Sequence, residues 1–164
     1  MTEMWWIVAL VAAGVAAAAT LLIWRPMRSA IRESQFARAR RDFHRHRERL
    51  EARFLQIASR SGKPRGLEWS NCDFDDDVVY ARNRRSGELS AFVAVTISFE
   101  PILGGDMEEV EAVRNLRAAT AVFRIEQGHW STDGRAIFNL NPTEAVRYFQ
   151  ENLELVGQEF ANPI

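Results

Sequence analysis

The sequence predicts an α+β protein with an N-terminal transmembrane helix, a long arginine-rich helix, and a small, mostly antiparallel sheet packed by a C-terminal helix. Three observations lead to this prediction. The chain opens with an uncharged apolar run, continues through residues 27–59 without a glycine or proline, and ends in segments where apolar and polar residues alternate. Its 164 residues suffice for one modest domain and an appendage.

Charge is distributed unevenly along the chain. Residues 1–65 carry 13 basic and 5 acidic side chains, a net of +8, whereas residues 66–164 carry 8 and 17, a net of −9. The hydrophobic fraction of 47% is ordinary and excludes a wholly disordered chain. Because Cys72 is the single cysteine, an intramolecular disulfide is excluded as well.

The first element is the apolar run of residues 4–24, which contains no charged side chain. As a helix these 21 residues extend about 31 Å, close to the ~30 Å hydrocarbon thickness of a bilayer. Trp5, Trp6 and Trp24 stand at its two ends, where indole rings favour the headgroup region. No lysine or arginine precedes the run, which favours an uncleaved anchor over a signal peptide. We therefore predict a transmembrane anchor over residues 1–25.

Basic residues predict the orientation of this anchor. Arg25, Arg28 and Arg32 follow the apolar run and none precedes it, so the positive-inside rule places the N-terminus outside and the remaining chain in the cytoplasm. We expect a single-pass protein of a bacterial inner membrane, with the lipid bilayer as a partner. Small residues four apart, as at Ala12 and Ala16, leave a weak homodimer through the span open.

The second element is a basic helical stalk over residues 26–60. Pro26 lacks an N–H and suits the first turn of a new helix, and the glycine- and proline-containing residues 61–66 form a linker. Apolar side chains recur at intervals of seven, at Phe36, Phe43, Leu50 and Ile57. The second apolar position of each heptad is missing, which leaves either a weak coiled-coil homodimer or packing of Leu50, Phe54 and Ile57 onto the following domain. We favour the packing.

Residues 37–54 hold seven arginines and two histidines. His44 and His46 are two residues apart and face opposite sides of a helix, which disfavours a metal site. We interpret the arginines as spread around the helix and interrupted by acidic residues, which disfavours a nucleic-acid partner. The run is interpreted as a solvated stalk, and we predict neither a metal nor a cofactor.

The alternation of apolar and polar residues predicts an α+β domain over residues 67–164. Strands are expected over 67–74, 77–83, 89–99 and 120–126, with Leu89, Ala91, Val93, Val95, Ile97 and Phe99 on one face. Gly87 supplies a hairpin turn, and the Asp133-Gly134 pair marks either a second turn or a bulge.

The last predicted helix starts at Asn141 as N-cap, with Pro142 at its first position and Glu144 completing a capping box. It is expected to continue to a stop at Gly157. Residues 107–117 fit either a short helix or a further strand.

The acidic run "NCDFDDD" is the candidate site for a cation or a basic partner, through Asp73, Asp75, Asp76 and Asp77. Alternate aspartates match the start of a calcium loop, but Val78 and Arg84 stand where that loop needs glycine and glutamate. A plain connection between strands is therefore the simpler interpretation. Cys72 and His129 form a thiolate–imidazole pair only if the fold brings them together.

These features predict a non-catalytic interaction or scaffolding module presented at the membrane, with a protein partner. No nucleophile elbow, zinc-ligand spacing or phosphate loop appears in the sequence, which disfavours an enzyme. The alternative is a membrane-tethered small enzyme or ligand-binding domain that uses the acidic loop, Cys72 or His129.

Overall fold

The computed structural model describes residues 4–61, 67–102, 104 and 117–160, except for the side chains of Trp6, Ala18, residues 21–29 and Ser61. The described elements are, in chain order, α1 (Trp5–Ser61), β1 (Leu67–Asn83), β2 (Leu89–Pro101), β3 (Arg117–Glu126), β4 (His129–Ser131), β5 (Ala136–Phe138), α2 (Pro142–Tyr148) and β6 (Leu153–Glu159). The α+β class is thereby confirmed. The segment 107–116, predicted as helix or strand, lies outside the described residues.

The chain forms two compact units, residues 1–45 and residues 46–164. Helix α1 contributes to both, and it continues through Pro26, so the expected start of a separate helix at that residue is wrong. A proline removes one backbone hydrogen bond from a helix interior and crowds the preceding turn. The helical turns on either side retain their own bonds, and here they maintain the helix.

The first unit contains the predicted membrane anchor. Its described apolar side chains are exposed, with Trp5 at 76%, Leu10 at 70% and Val15 at 64%. Within the described residues, no helix combines the length and the apolar character that crossing a membrane requires. The structure therefore does not confirm the predicted transmembrane helix. Of the predicted interface side chains, Trp5 and Arg32 are exposed, and those of Trp6, Trp24, Arg25 and Arg28 lie outside the described ones.

The second unit contains a six-stranded antiparallel sheet in the order β4-β3-β2-β1-β6, with β5 also paired to β3. Strands β3 and β4 join through Gln127 and Gly128, whose positive φ angles of 51° and 82° suit a two-residue hairpin. Because β4 and β5 pair with successive parts of the same strand, the residues between them interrupt one strand. The Asp133-Gly134 pair is thus a bulge-like interruption and not a second hairpin turn.

Strand β1 replaces two expected strands. Residues 67–82 pair with β2 on both sides of two register shifts, one between Trp69 and Asn71 and one between Phe74 and Val78. The acidic run, expected as a connection between strands, therefore lies inside one strand as a bulge. A bulge accommodates the extra residues without ending the pairing on either side.

One sheet face packs against the C-terminal part of α1. The six alternating residues of β2 that were predicted to share a face are all buried. The ring of Phe54 lies 6.4, 5.7 and 6.0 Å from the rings of Trp69, Phe74 and Phe123. Leu50 is also buried and Ile57 is half-buried. The predicted packing of this part of the helix onto the domain is confirmed.

The opposite face is partly covered by α2, whose Ala145 and Val146 pack with Val79, Phe92 and Val122. The predicted N-terminus of this helix is confirmed, including the capping box between Asn141 and Glu144.

The predicted end of this helix at Gly157 is wrong. Helix α2 ends at Tyr148, and Leu153–Glu159 form β6 against β1. The spacing of Leu153 and Val156 is compatible with both structures, and the open edge of β1 favours the strand.

Candidate functional site

The acidic bulge of β1 is held by an arginine from α1. The Arg47 guanidinium donates to the backbone carbonyl of Asp75 and lies 3.4 Å from a carboxylate oxygen of Asp76. Its Nε donates to Glu51 over 2.7 Å, and the Arg47 side chain is only 15% exposed. Arg47 therefore holds the bulge from the side of the sheet that packs against α1, while the side chains of Asp75 and Asp76 remain exposed.

These aspartates line an open groove of about 690 Å³ on the sheet face that carries α2. Asp73, Asp75 and Asp76 come from β1, and Glu144 comes from α2. Small residues form its floor, namely Ala94, Thr96 and Ala118. We call this the acidic groove. Asp77, the fourth predicted residue, is half-buried and is not among the described residues that line the groove.

The capping box orients Glu144 at the groove. Its carboxylate accepts a hydrogen bond from the Asn141 backbone N–H over 3.0 Å, and the Asn141 side chain accepts one from the Glu144 N–H over 2.8 Å. The Thr120 hydroxyl donates to the Leu140 carbonyl over 2.7 Å and fixes the segment that precedes the helix. Sequence reasoning identified Glu144 as a capping residue and missed its place in the groove.

The groove has the electrostatics of a site for positive charge. Four carboxylates from two elements line it, of which Asp76 is also paired with Arg47, and no lysine or arginine is among its described lining residues. The described part of the chain contains no group of three or more histidine, cysteine or acidic side chains placed to hold a metal ion. The arrangement suits a cationic ligand that extends along the groove.

The structure separates Cys72 from His129. Cys72 lies opposite Ile97, which pairs with Arg117 at the start of β3, whereas His129 pairs with Glu126 at the end of β3. Nine residues of strand separate these two levels, about 30 Å. A thiolate–imidazole pair is therefore excluded. Burial raises the pKa of the Cys72 thiol to about 11, so the thiol is protonated near neutral pH.

The arginines in the second unit's part of α1 have two different environments. Arg47 faces the sheet, as described above, whereas Arg49, Arg53 and Arg60 are exposed along one open surface. At 100° per residue these three lie within about 40° of one another. Arg47 and Arg49 are two residues apart, about 200° around the helix, so arginines lie on opposite sides of this part of α1, and packing on the sheet partly buries one side.

A second, smaller cavity of about 330 Å³ was missed by the sequence analysis. It lies on the same sheet face at the C-terminal end of α2, and its polar lining includes Ser90, Arg124 and Arg135. These residues come from β2, β3 and the segment between β4 and β5. No local motif connects them, so no sequence signal could have identified them as neighbours.

Fold and site define the class of protein as an α+β domain with an antiparallel sheet, a long helix against one face and an acidic groove on the other. No protein-family model matches the chain, and neither the curated proteins nor the solved structures contain a significant match. Function is therefore inferred from the residues and contacts described above.

Proposed function

We propose that this protein is a membrane-anchored, non-catalytic interaction module whose acidic groove binds a basic segment of a partner protein. The observation that carries the proposal is the convergence of Asp73, Asp75, Asp76 and Glu144 on one groove. Carboxylates arranged along a concave surface concentrate negative potential there and attract a chain with the opposite charge.

The shape of the groove favours a peptide segment over a metal ion. Asp73, Asp75 and Asp76 come from β1 and Glu144 from α2, and no three acidic side chains of the described residues are placed to hold a metal ion. The floor of Ala94 and Ala118 leaves room for the aliphatic stems of lysine or arginine, whose charged ends reach the surrounding carboxylates.

The membrane anchor is the second part of the proposal. The uncharged residues 4–24 would span the bilayer, with the basic residues 26–60 as a stalk, 61–66 as a linker and 67–164 as the cytoplasmic domain. The described apolar side chains near the N-terminus are exposed, and a lipid environment would cover them. Arg32 is exposed and suits the headgroup region on the cytoplasmic side.

The groove is tested by binding of a fluorescent twelve-residue peptide of alternating lysine and alanine to the full chain in lipid nanodiscs. The test variant carries Asp73→Asn, Asp76→Asn and Glu144→Gln. Glutamine at 144 can still accept the capping hydrogen bond, so the fold of α2 is preserved. We expect the three changes to weaken binding about tenfold, since each exposed pair contributes only modestly.

A charge-matched control carries glutamine at three exposed positions outside the groove, Glu126, Glu151 and Glu154. It removes the same number of charges and should bind the peptide nearly as well as the unchanged chain. Equal weakening in the two variants would show attraction to net charge alone and would refute a groove-specific site. Failure of the unchanged chain to bind at low salt would refute it too.

A further inference from the structure

The smaller cavity is lined by both apolar and polar side chains. It lies between the sheet and the C-terminal end of α2, and its apolar lining consists of Phe92, Val122, Ile137, Phe149 and Leu153. Its volume of about 330 Å³ falls at the lower end of the range found for small-molecule sites. Within the described residues, it shares no lining residue with the acidic groove.

The hydroxyl of Ser90 is accessible at the wall of this cavity. Ser90 is 7% exposed and lines the cavity wall. Among the residues that the structure describes, its side chain takes part in no hydrogen bond. Because this hydroxyl faces the open volume of the cavity, it can donate a hydrogen bond to a polar group of a ligand.

Two arginines make the polar side of the cavity basic. The guanidinium of Arg135 lies 5.6 Å from the centroid of the Phe149 ring and, within the described residues, forms no ion pair. Arg124 also lines the cavity and pairs with Asp133. The described lining includes one carboxylate, Glu88, which accepts a hydrogen bond from the Ser86 hydroxyl over 2.9 Å. The lining thus carries a net charge of +1 in a region whose net charge is −9.

We propose that this cavity binds a small monocarboxylate with an apolar body. The carboxylate accepts hydrogen bonds from the Arg135 guanidinium and the Ser90 hydroxyl, because among the described wall residues these donors have no protein acceptor. The hydrocarbon part packs against Phe92 and Val122. The site does not depend on the acidic groove, so each proposal can fail without the other.

The probe for this site is hexanoate, titrated into the full chain in lipid nanodiscs, with empty nanodiscs as a blank. Methyl NMR signals of Val122, Ile137 and Leu153 report on the cavity wall. We expect saturable shifts with a dissociation constant on the order of 1 mM, given the small size of the probe. Hexanamide, which has the same body without the charge, should bind at least tenfold more weakly. Acetate, which lacks the body, should also bind weakly.

Substitutions assign the binding to the proposed donors. Arg135→Met should raise the dissociation constant at least tenfold, and Arg135→Lys should raise it less because the charge remains. Ser90→Ala removes one hydroxyl from a buried position, keeps the fold, and should weaken binding a few-fold. Arg49→Met, on the exposed face of α1, is the matched control and should leave the dissociation constant unchanged.

Three results would overturn the proposal. The first is hexanamide binding as tightly as hexanoate. The second is an absence of saturable methyl shifts up to about 20 mM hexanoate, well above the expected dissociation constant. The third is an affinity for hexanoate that stays unchanged in both Ser90→Ala and Arg135→Met. If Arg135→Met does not fold, Arg135→Lys takes its place in this comparison.

Discussion

Individual residues on β1 show how position changes the chemistry of a side chain. Cys72 is half-buried on the strand opposite Ile97, and desolvation raises the pKa of its thiol from 9.0 to about 11. Asp75 and Asp76, a few residues away, remain exposed because the bulge turns them toward solvent. The sequence left a thiolate–imidazole pair with His129 open, whereas the sheet separates the two residues and burial keeps the thiol protonated near neutral pH.

The raised pKa of Cys72 predicts slow alkylation. Since the pKa in the folded state is about 11 against an ordinary 9.0, the thiolate fraction at about pH 8 is about 100-fold lower than in an unfolded chain. Because a thiolate of higher pKa is also more nucleophilic, which offsets part of this difference, iodoacetamide should modify the native protein at least about tenfold more slowly than the protein in urea. Mass spectrometry measures both rates, and the single cysteine makes the readout unambiguous. Equal rates would contradict the burial of this thiol.

The same shift has a consequence for stability. The folded state binds the thiol proton of Cys72 more tightly than the unfolded state does. The free energy that this proton binding contributes to folding is therefore fully present below about pH 9 and is lost as the pH rises toward 11. Cys72 should therefore not affect the pH dependence of stability near neutral pH.

At the scale of elements, local signals predicted the hairpin turn at Gly87 and the start of α2, and strand pairing decided the rest. The turn at Gly87 and the capping box at Asn141 each depend on residues within a few positions, and both were predicted correctly. Strand β6 was predicted as helix because its partner, β1, lies some 75 residues earlier in the chain. An apolar spacing that suits both structures cannot identify that partner.

Helix α1 approaches the segment between β4 and β5 closely at Gly134. This glycine has φ of +74°, and a Cβ atom there would lie 2.8 Å from the Ala58 backbone nitrogen and from Cγ2 of Ile57. Gly134→Ala therefore combines a strained backbone with a steric clash. We expect it to lower the free energy of unfolding by about 2–4 kcal/mol. Urea unfolding of the full chain followed by tryptophan fluorescence measures this, because Trp69 and Trp130 lie in the sheet.

Gly128→Ala is the matched control for this prediction. Gly128 also has a positive φ, +82°, but a Cβ atom added there would meet no atom of the described residues within 4 Å. The control should lose only about 1 kcal/mol, the cost of the backbone conformation. Equal losses at the two positions would show that the helix does not approach Gly134 as described.

At the scale of the whole molecule, the two halves of the chain carry opposite net charges, and the proposed membrane anchor gives each of them a role. The basic residues 25–65 would follow the bilayer, where anionic headgroups attract them, and the acidic domain would stay in solution. This arrangement would leave the acidic groove accessible to a partner.

Substitutions in the N-terminal run test the anchor. A charge at the centre of a spanning helix costs about 2.5–3.5 kcal/mol per residue, so Val11→Arg with Val15→Arg should move the full chain from the membrane fraction to the soluble fraction. The control, Val11→Leu with Val15→Leu, should remain in the membrane after carbonate extraction. A C-terminal reporter that fluoresces only in the cytoplasm should be active. Membrane retention of the arginine variant, or an inactive reporter, would contradict the anchor or its orientation.

The sequence by itself determined the features that depend on neighbouring residues. These are the charge division, the long helix, the alternation of β2, the hairpin turn at Gly87 and the capping box. Each follows from backbone preferences and side-chain contacts over a few positions. It also indicated that Leu50 and Phe54 pack on the domain.

Only the tertiary structure decided the continuity of β1, the pairing of β6 and both candidate sites. Glu144 joins Asp73 in the acidic groove across about 70 residues of chain, and Arg135 joins Ser90 across about 45. Such neighbours are set by strand order and register, which arise from the summed burial of many side chains. No short segment contains that information, and for this reason the candidate binding sites emerged only from the fold.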